Sequence, residues 1–216
     1  NAAASRERGI GGIKLKVGQP DRKLDIQRVE AVRKHLGDEA PLMVDANQQW
    51  DRPTAQRMCR IFEEFNLVWI EEPLDAYDHS GHAALAAQFD TPIATGEMLT
   101  SALEHGDLIH HHAADYLMPD APRVGGITPF LKIAAQAEQA GLMLAPHFAM
   151  ELHVHLAAAY PSEPWVEHFD WLEPLFNERL EIKGGRMLVP TRPGLGLTLS
   201  EQCRAWTREK AEVGQC

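Results

Sequence analysis

The chain has 216 residues, of which 44% are hydrophobic and 24% are charged, as in ordinary folded proteins. Its formal charge of -10 argues against nucleic-acid binding, which needs basic surface to displace counterions. No apolar run approaches the roughly 18 residues needed to span a bilayer, and the first residues contain no apolar signal-peptide core. Three scattered cysteines (Cys59, Cys203 and Cys216) predict no disulfide framework. We therefore expect a cytoplasmic protein whose partners include neither nucleic acid nor membrane.

Along the chain, short apolar runs alternate with longer amphipathic segments. The predicted strands are Gly12–Val17, Leu42–Asp45, Val68–Glu71, Pro92–Thr95, Tyr116–Met118, Leu142–Ala145 and Trp165–His168. The predicted helices are Arg22–Leu36, Thr54–Phe65, His82–Phe89, Ser101–His112, Ile127–Ala140 and Leu152–Tyr160. This alternation is typical of βαβ units with a parallel sheet.

Polar residues at the strand ends decide between an open sheet and a barrel. They are Lys16, Asp45, Glu71, Glu97, Asp120, His147 and Glu167. In a barrel the carboxyl ends of all strands converge on one mouth, whereas the outer strands of an open sheet lie too far apart to share a site. A complete barrel needs about 250 residues, so the expected fold is a compact or incomplete α/β barrel.

The end of the chain has a different pattern. Leu180–Lys183 and Arg186–Val189 flank Gly184-Gly185, which predicts a two-residue β-hairpin. Residues 193–196 are expected to form a loop. We therefore divide the chain into a barrel, residues 1–179, and a C-terminal hairpin and tail, residues 180–216.

Asp45, Glu71 and Glu97 are spaced by 26 residues, one βα unit per step. Three carboxylates on adjacent strand ends would repel one another unless a cation neutralised them. A site made only of oxygen ligands suits Mg²⁺. Each acid could instead cap the following helix, but three acids in phase favour the metal site. Glu72 should point to the opposite face from Glu71 and serve a structural role.

Lys14 and Lys16 are two positions apart, so both side chains should lie on one face of their strand. Their apolar neighbours (Ile13, Leu15 and Val17) would occupy the outer, helix-covered face, which places both ammonium groups inside the barrel. Alternatively, the two lysines could lie on a charged strand edge that faces solvent. Mutual repulsion and the metal should lower the pKa of one lysine, so that it can act as a base.

His147 and Asp120 follow neighbouring strands, and the carboxylate could fix the tautomer of the imidazole. A structural His after a proline is the alternative. Asn47 could hydrogen-bond the substrate or shape a turn. Glu167, one strand beyond His147, could donate a proton or a hydrogen bond to a substrate carboxylate. We interpret the run His110–His112 as exposed surface and the tryptophans as packing residues.

These motifs together resemble the mandelate racemase subgroup of the enolase superfamily. The shared features are Lys-x-Lys at Lys14, Asp-x-Asn at Asp45, Glu-Glu-Pro at Glu71, Gly-Glu at Glu97, a strand-end Asp120, and His147 after Ala-Pro. The stretches 119–126 and 145–151 are similar to the branch that dehydrates acid sugars such as L-talarate and galactarate.

The resemblance implies a TIM-type (β/α)7β barrel that binds Mg²⁺ through Asp45, Glu71 and Glu97. It further implies that a base removes the proton α to a substrate carboxylate, giving an enediolate, and that the β-hydroxyl then leaves as water. Lys16 and His147 would be the acid/base groups on opposite faces of the substrate. The resemblance does not indicate which of the two takes the α-proton. Asp120 would support His147. Lys14, Asn47 and Glu167 would contact the substrate or intermediate.

The chain departs from this family at its start. The family barrel is preceded by an α+β capping domain, whereas this sequence begins just before the Lys-x-Lys strand. We expect the first barrel strand and the cap to be missing from these 216 residues and to be supplied by a longer polypeptide or another source. The C-terminal tail would pack on the barrel or on that cap. The family also suggests a homo-oligomer.

Two other functions remain open from the sequence. A racemase or epimerase of a 2-hydroxy acid would use the same two bases without expelling water. A non-catalytic metal-binding barrel is the second alternative, although inward-facing lysines contribute nothing to a pure metal site.

Overall fold

Six short parallel strands, hydrogen-bonded in sequence order, form the centre of the computed structural model, which describes residues 2–209. The strands are β1 (Ile13–Lys16), β2 (Leu42–Asp45), β3 (Ile70–Glu71), β4 (Ile93–Thr95), β5 (Tyr116–Leu117) and β6 (Met143–Leu144). In the register of this sheet, Lys16 pairs with Asp45, and Asp45 pairs with Glu71. The predicted α/β class is confirmed, and the register already aligns three of the predicted site residues.

Helices follow each of these strands. They are α2 (Arg22–Leu36), α3 (Arg52–Phe62), α4 (His79–Gln88), α5 (Ala102–His110), α6 (Ile127–Gln139) and α7 (Met150–Ala157), with α1 (Ala2–Glu7) before β1 and α8 (Glu201–Trp206) near the end. Asp21, Asp51, Asp78 and Ser101 each accept a hydrogen bond from a backbone N–H of the first helical turn. Such N-caps stabilise a helix by roughly 1 kcal/mol each and fix where it begins.

Arg33 joins the end of α2 to the start of the segment that precedes β3. Its guanidinium donates to the carbonyl oxygens of Phe65 and Asn66 at 2.8 Å and of Ala40 at 2.7 Å. It also donates to the carbonyl of Gly37. The buried charge is thus satisfied by backbone oxygens, which positions the loop that leads into β3.

The apolar core lies on both faces of the sheet. On the outer face, α2, α3 and α4 pack against the first strands around Val29, Phe62 and Ile70. A second cluster under α5, α6 and α7 surrounds Leu117 and Phe130. On the inner face, successive units contribute Met43, Trp69, Ala94, Met118 and Ala145. This inner layer packs beneath the carboxyl ends of the strands, as in other β/α barrels.

The prediction of a further strand at Trp165–His168 was wrong. Only the Trp165 N–H continues the sheet, donating to Leu144 O at 3.3 Å, and the adjacent Pro164 has no N–H to contribute. The Trp165 ring nevertheless lies against Gly12, which immediately precedes β1. This segment therefore links the last strand of the sheet to the first.

The predicted hairpin is present as β7 (Ile182–Lys183) and β8 (Arg186–Met187), joined through Gly184-Gly185. Gly185 forms a parallel bridge with Ile10, so the hairpin meets the segment that enters β1. Its φ of 79° is one that glycine adopts without strain. Residues 210–216 of the predicted tail, including Cys216, lie outside the described residues. Within residues 2–209, each helix is too short or too polar to cross a membrane.

Candidate active site

Three buried carboxylates converge at the carboxyl ends of consecutive strands. Asp45 and Glu71 are the last residues of β2 and β3, and Glu97 follows β4. One oxygen from each of the three lies within 4.8 Å of the others. Gly96, with a φ of 126°, makes the turn that brings Glu97 to this position. The structure therefore brings together the three predicted metal ligands.

Both predicted lysines face this cluster. Lys14 Nζ lies 2.6 Å from Glu71 Oε1 and 2.5 Å from Glu167 Oε1, and Lys16 Nζ donates to Asp45 Oδ2. The Lys14 side chain is 16% exposed, whereas that of Lys16 is 54% exposed. Alternation along β1 thus directs both ammonium groups inward, with Lys16 the more accessible at the mouth.

The site carries an excess of negative charge. Burial opposes the charged form of Lys14, but the carboxylates of Glu71, Glu167 and Asp45 outweigh it and raise the lysine pKa. Burial also raises the pKa of Glu71, against the effect of Lys14, and raises that of Glu97. Burial thus disfavours the charged carboxylates, which also outnumber the ammonium groups, so the site is suited to a divalent cation. The predicted lowering of a lysine pKa is not seen at Lys14, where the direction is the opposite.

His147 and Asp120 form a hydrogen-bonded pair on the other side of the acids. His147 Nδ1 lies 2.9 Å from Asp120 Oδ2, and its Nε2 lies 3.4 Å from Glu97 Oε2. Burial lowers the pKa of His147, but the contacts with Asp120 and Glu97 outweigh burial and raise it. Asp120 also accepts from the N–H of Arg123 at 3.1 Å, which fixes the carboxylate. The pair can therefore orient an imidazole towards a ligand at the mouth.

The strand alternation on which the prediction for Glu72 rested does not extend to this residue. Glu72 adopts a φ of 38°, outside the extended region, so strand alternation does not govern its side chain. Its carboxyl accepts from Gln48 Nε2 at 2.9 Å, and burial with the nearby Glu97 carboxylate raises its pKa to about 7. Glu72 is thus part of the electrostatic environment of the mouth.

Asn47 lies in a left-handed turn after β2, with a φ of 42°. Its N–H donates to Asp45 Oδ1 at 2.8 Å and so orients that carboxylate. Because strand geometry ends at Asp45, alternation does not set the direction of the Asn47 side chain. Asn47 therefore shapes a turn, as one of the two predicted roles requires. Its contact with the substrate remains a prediction.

Glu167 reaches the site from the irregular segment after α7. Its Oε2 accepts from the N–H of Phe148 at 2.8 Å, while Oε1 contacts Lys14. Both partners supply hydrogen, so here Glu167 acts as an acceptor and not as a proton donor. It ties Phe148, which has a φ of 67°, to the β1 side of the mouth.

Two positioning residues were missed from the sequence. Trp69 Nε1 donates to Glu71 Oε2 at 2.9 Å, a contact foreseeable because residues two apart on a strand share a face. His153 Nε2 accepts from the N–H of Ala121, the residue after Asp120, at 3.0 Å. Its burial lowers its pKa to about 4, so it serves as a neutral acceptor. No pattern in the sequence singles out His153.

The sequence of this chain is similar to one family of known proteins. Residues 1–203 match the family model described as "Enolase C-terminal domain-like". Over 215 residues the chain is 67% identical to L-talarate/galactarate dehydratase of Salmonella typhimurium, covering 100% of this chain and 54% of that protein. The chain thus spans about half the length of the curated relatives it matches.

Two solved structures are similar throughout this chain. L-Talarate dehydratase from Polaromonas sp. JS666, complexed with Mg and L-glucarate, is 86% identical with a TM-score of 0.96, covering 99% of this chain and 60% of that one. The Salmonella typhimurium enzyme liganded with Mg and L-lyxarohydroxamate is 67% identical with a TM-score of 0.97, covering 100% of this chain and 55% of that one.

Proposed function

Because the chain belongs to the enolase C-terminal domain-like family, we propose that it is the catalytic barrel of a Mg²⁺-dependent acid-sugar dehydratase acting on L-talarate- or galactarate-type hexarates. The observation that carries the proposal is the position of Lys16 and His147. Each contacts a different carboxylate of the three-acid cluster, Asp45 and Glu97 respectively. A substrate carboxylate held at the acids would therefore have a proton-transfer group on each side.

Asp45, Glu71 and Glu97 would hold the Mg²⁺, which supplies positive charge where negative charge develops on the substrate carboxylate. The neighbouring ammonium group of Lys14 adds to this stabilisation from a fixed position. Lys14 is in turn anchored by Glu167, so it cannot move towards bulk solvent without breaking its close ion pairs with Glu71 and Glu167.

One of the pair Lys16 and His147 takes the proton from the carbon α to the carboxylate. The electron pair of that C–H bond forms the carbon–carbon double bond of the enediolate and then expels the β-hydroxyl. The other group donates a proton to this hydroxyl, which leaves as water. The resulting enol takes a proton on the former β-carbon and loses the proton of its own hydroxyl to water, which gives a keto-deoxy acid. Asp120 supports the charged form of His147 in either role.

The remaining parts of the proposal concern the assembly. We propose that an N-terminal cap on the same polypeptide closes the mouth and selects the substrate, which is consistent with the length of the relatives. We also propose a cytoplasmic homo-oligomer with residues 1–179 as barrel and 180–216 as hairpin and tail.

The test is incubation of the complete polypeptide with hexaric and hexonic acids and Mg²⁺ in D₂O. Formation of a keto-deoxy acid is the expected result. Deuterium appearing α to the carboxylate without a keto acid would identify the alternative, a racemase or epimerase that uses the same two groups. Neither exchange nor product with any acid would overturn the enzyme proposal and favour a metal-binding barrel.

A further inference from the structure

A second cluster of ligand-type side chains lies on the outer helices. His79 is the first residue of α4, and Asp107 and His111 lie one turn apart at the end of α5. One atom from each lies within 4.8 Å of the others. Because positions i and i+4 share a helix face, Asp107 and His111 are presented together to His79. None of the three belongs to the proposed reaction.

The distances suit tetrahedral coordination. His79 Nδ1 lies 3.0 Å from Asp107 Oδ2, and His111 Nδ1 lies 3.5 Å from Asp107 Oδ1. Zinc bonds of about 2.0–2.2 Å to nitrogen and oxygen place neighbouring ligand atoms roughly 3.3–3.5 Å apart in a tetrahedron. The rings of His79 and His111 have centroids 5.7 Å apart, so the side chains are already gathered around one point.

The cluster is also open to an ion. His111 Nδ1 lies 2.9 Å from the carbonyl oxygen of Asp107 as well, a contact that the ring gives up when Nδ1 binds an ion. The side chain of His79 is 12% exposed, while those of Asp107 and His111 are 55% and 46% exposed. The cluster therefore has one nearly buried ligand and open access from solvent.

We propose that His79, Asp107 and His111 form a site for a transition-metal dication of the Zn²⁺ class, with water in the remaining position. Two imidazoles and one carboxylate suit Zn²⁺, Co²⁺, Ni²⁺ or Cu²⁺, whereas Mg²⁺ prefers oxygen ligands alone. The chain thus carries two cation sites of different chemistry, one at the mouth and one bridging α4 and α5. This inference stands apart from the proposed function.

The test uses Co²⁺ as a spectroscopic probe, in excess Mg²⁺ so that the all-oxygen site at the mouth is occupied. Tetrahedral Co²⁺ with nitrogen ligands absorbs visible light much more strongly than six-coordinate Co²⁺ with oxygen ligands. We expect one equivalent of strongly absorbing Co²⁺ per chain, displaced by Zn²⁺. In H111Q and D107N the affinity should fall by at least about tenfold, the loss seen when even an outer-shell partner is removed.

H110Q is the matched control, because His110 is the exposed neighbour of His111 and lies outside the cluster. It should bind Co²⁺ like the unmodified chain. Thermal unfolding in Mg²⁺ alone verifies that H111Q and D107N remain folded, as expected for two side chains that are about half exposed. Absence of the strong absorption in the unmodified chain, or equal binding by H111Q and D107N, would overturn the proposal.

Discussion

His147 Nδ1 and Asp120 Oδ2 lie 2.9 Å apart, and this contact orients the opposite ring nitrogen towards the acid cluster. Replacement of Asp120 by Asn keeps the size of the side chain but removes the charge that supports an imidazolium. General acid–base catalysis contributes roughly 10²–10⁴-fold to rate, so we expect Asp120→Asn to lower kcat by about 10²-fold or more with little change in KM.

The pH profile of the same variant separates positioning from a loss of folding. Without the Asp120 carboxylate the pKa of His147 should fall, because the hydrogen bond and the charge of Asp120 both raise it. The limb of the kcat profile that reports His147 should then move to lower pH. Asp90→Asn, at an exposed position, should leave the profile unchanged. An Asp120→Asn enzyme with normal kcat would show that the pair is structural.

Lys16→Ala should abolish the reaction while preserving the fold. The side chain is half exposed and its principal contact is Asp45, so little packing is lost. We expect a fall in turnover of at least about 10²-fold, measured as product formation and as α-deuterium exchange in D₂O. Lys23→Ala, on the exposed side of α2, serves as the control. Unchanged exchange in Lys16→Ala would remove this lysine from the mechanism.

Mg²⁺ should stabilise the chain through Asp45, Glu71 and Glu97. A ligand present at 100 times its Kd adds about 2.7 kcal/mol to the free energy of unfolding. Asp45→Asn should lose this increment. Differential scanning calorimetry with and without Mg²⁺ measures the loss. Glu64→Gln, an exposed acid, should respond to Mg²⁺ like the unmodified chain.

His82 should make the fold sensitive to acid. Burial lowers its pKa to about 4, against about 6.5 in an unfolded chain. The unfolded state therefore binds more protons between these values, so the stabilising contribution is complete above pH 6.5 and is lost as the pH falls to 4. We expect His82→Gln to flatten the decline in unfolding free energy over this window, by an amount on the order of 3 kcal/mol.

The measurement is urea unfolding at a series of pH values and at constant Mg²⁺. His110→Gln removes an exposed histidine from the same outer layer and should leave the slope unchanged. Parallel curves for His82→Gln and the unmodified chain would contradict the prediction.

Arg33→Met should destabilise the protein by about 3 kcal/mol. The apolar portion of the side chain is retained, but several buried carbonyl oxygens lose a charged donor, and unsatisfied acceptors cost roughly 1–3 kcal/mol each before relaxation and water entry. Chemical denaturation measures the change. Lys34→Met, at the exposed adjacent position of α2, should alter stability by less than about 0.5 kcal/mol.

The parts of the fold with strong local signals could be predicted from the sequence. The helix Arg22–Leu36 matches its predicted bounds, since Asp21 caps its start and Gly37 ends it. By contrast, α3 begins two residues before the predicted Thr54, because Pro53 fits the first helical turn. The short α1 and α8 lack a sustained apolar period and were not predicted.

In the site, too, residues on regular elements could be predicted and residues placed by irregular backbone or by packing could not. Lys14 and Lys16 could be placed because regular strand alternation persists to the end of β1. Glu72 could not, because a single left-handed residue redirects its side chain. His153 supports the loop after Asp120 through a contact between α7 and the β5 loop, which depends on helix packing rather than on any spacing in the sequence.

The bridge between Ile10 and Gly185 joins the two ends of the described chain. Each pair of neighbouring sheet strands closes a loop of one βα unit, whereas this bridge requires almost the whole chain to be in place first. Loop-closure entropy and contact order therefore predict that the hairpin docks late during folding. Its backbone amides should also be among the first to exchange with solvent in the native protein, through local opening that leaves the strands and their carboxylates assembled.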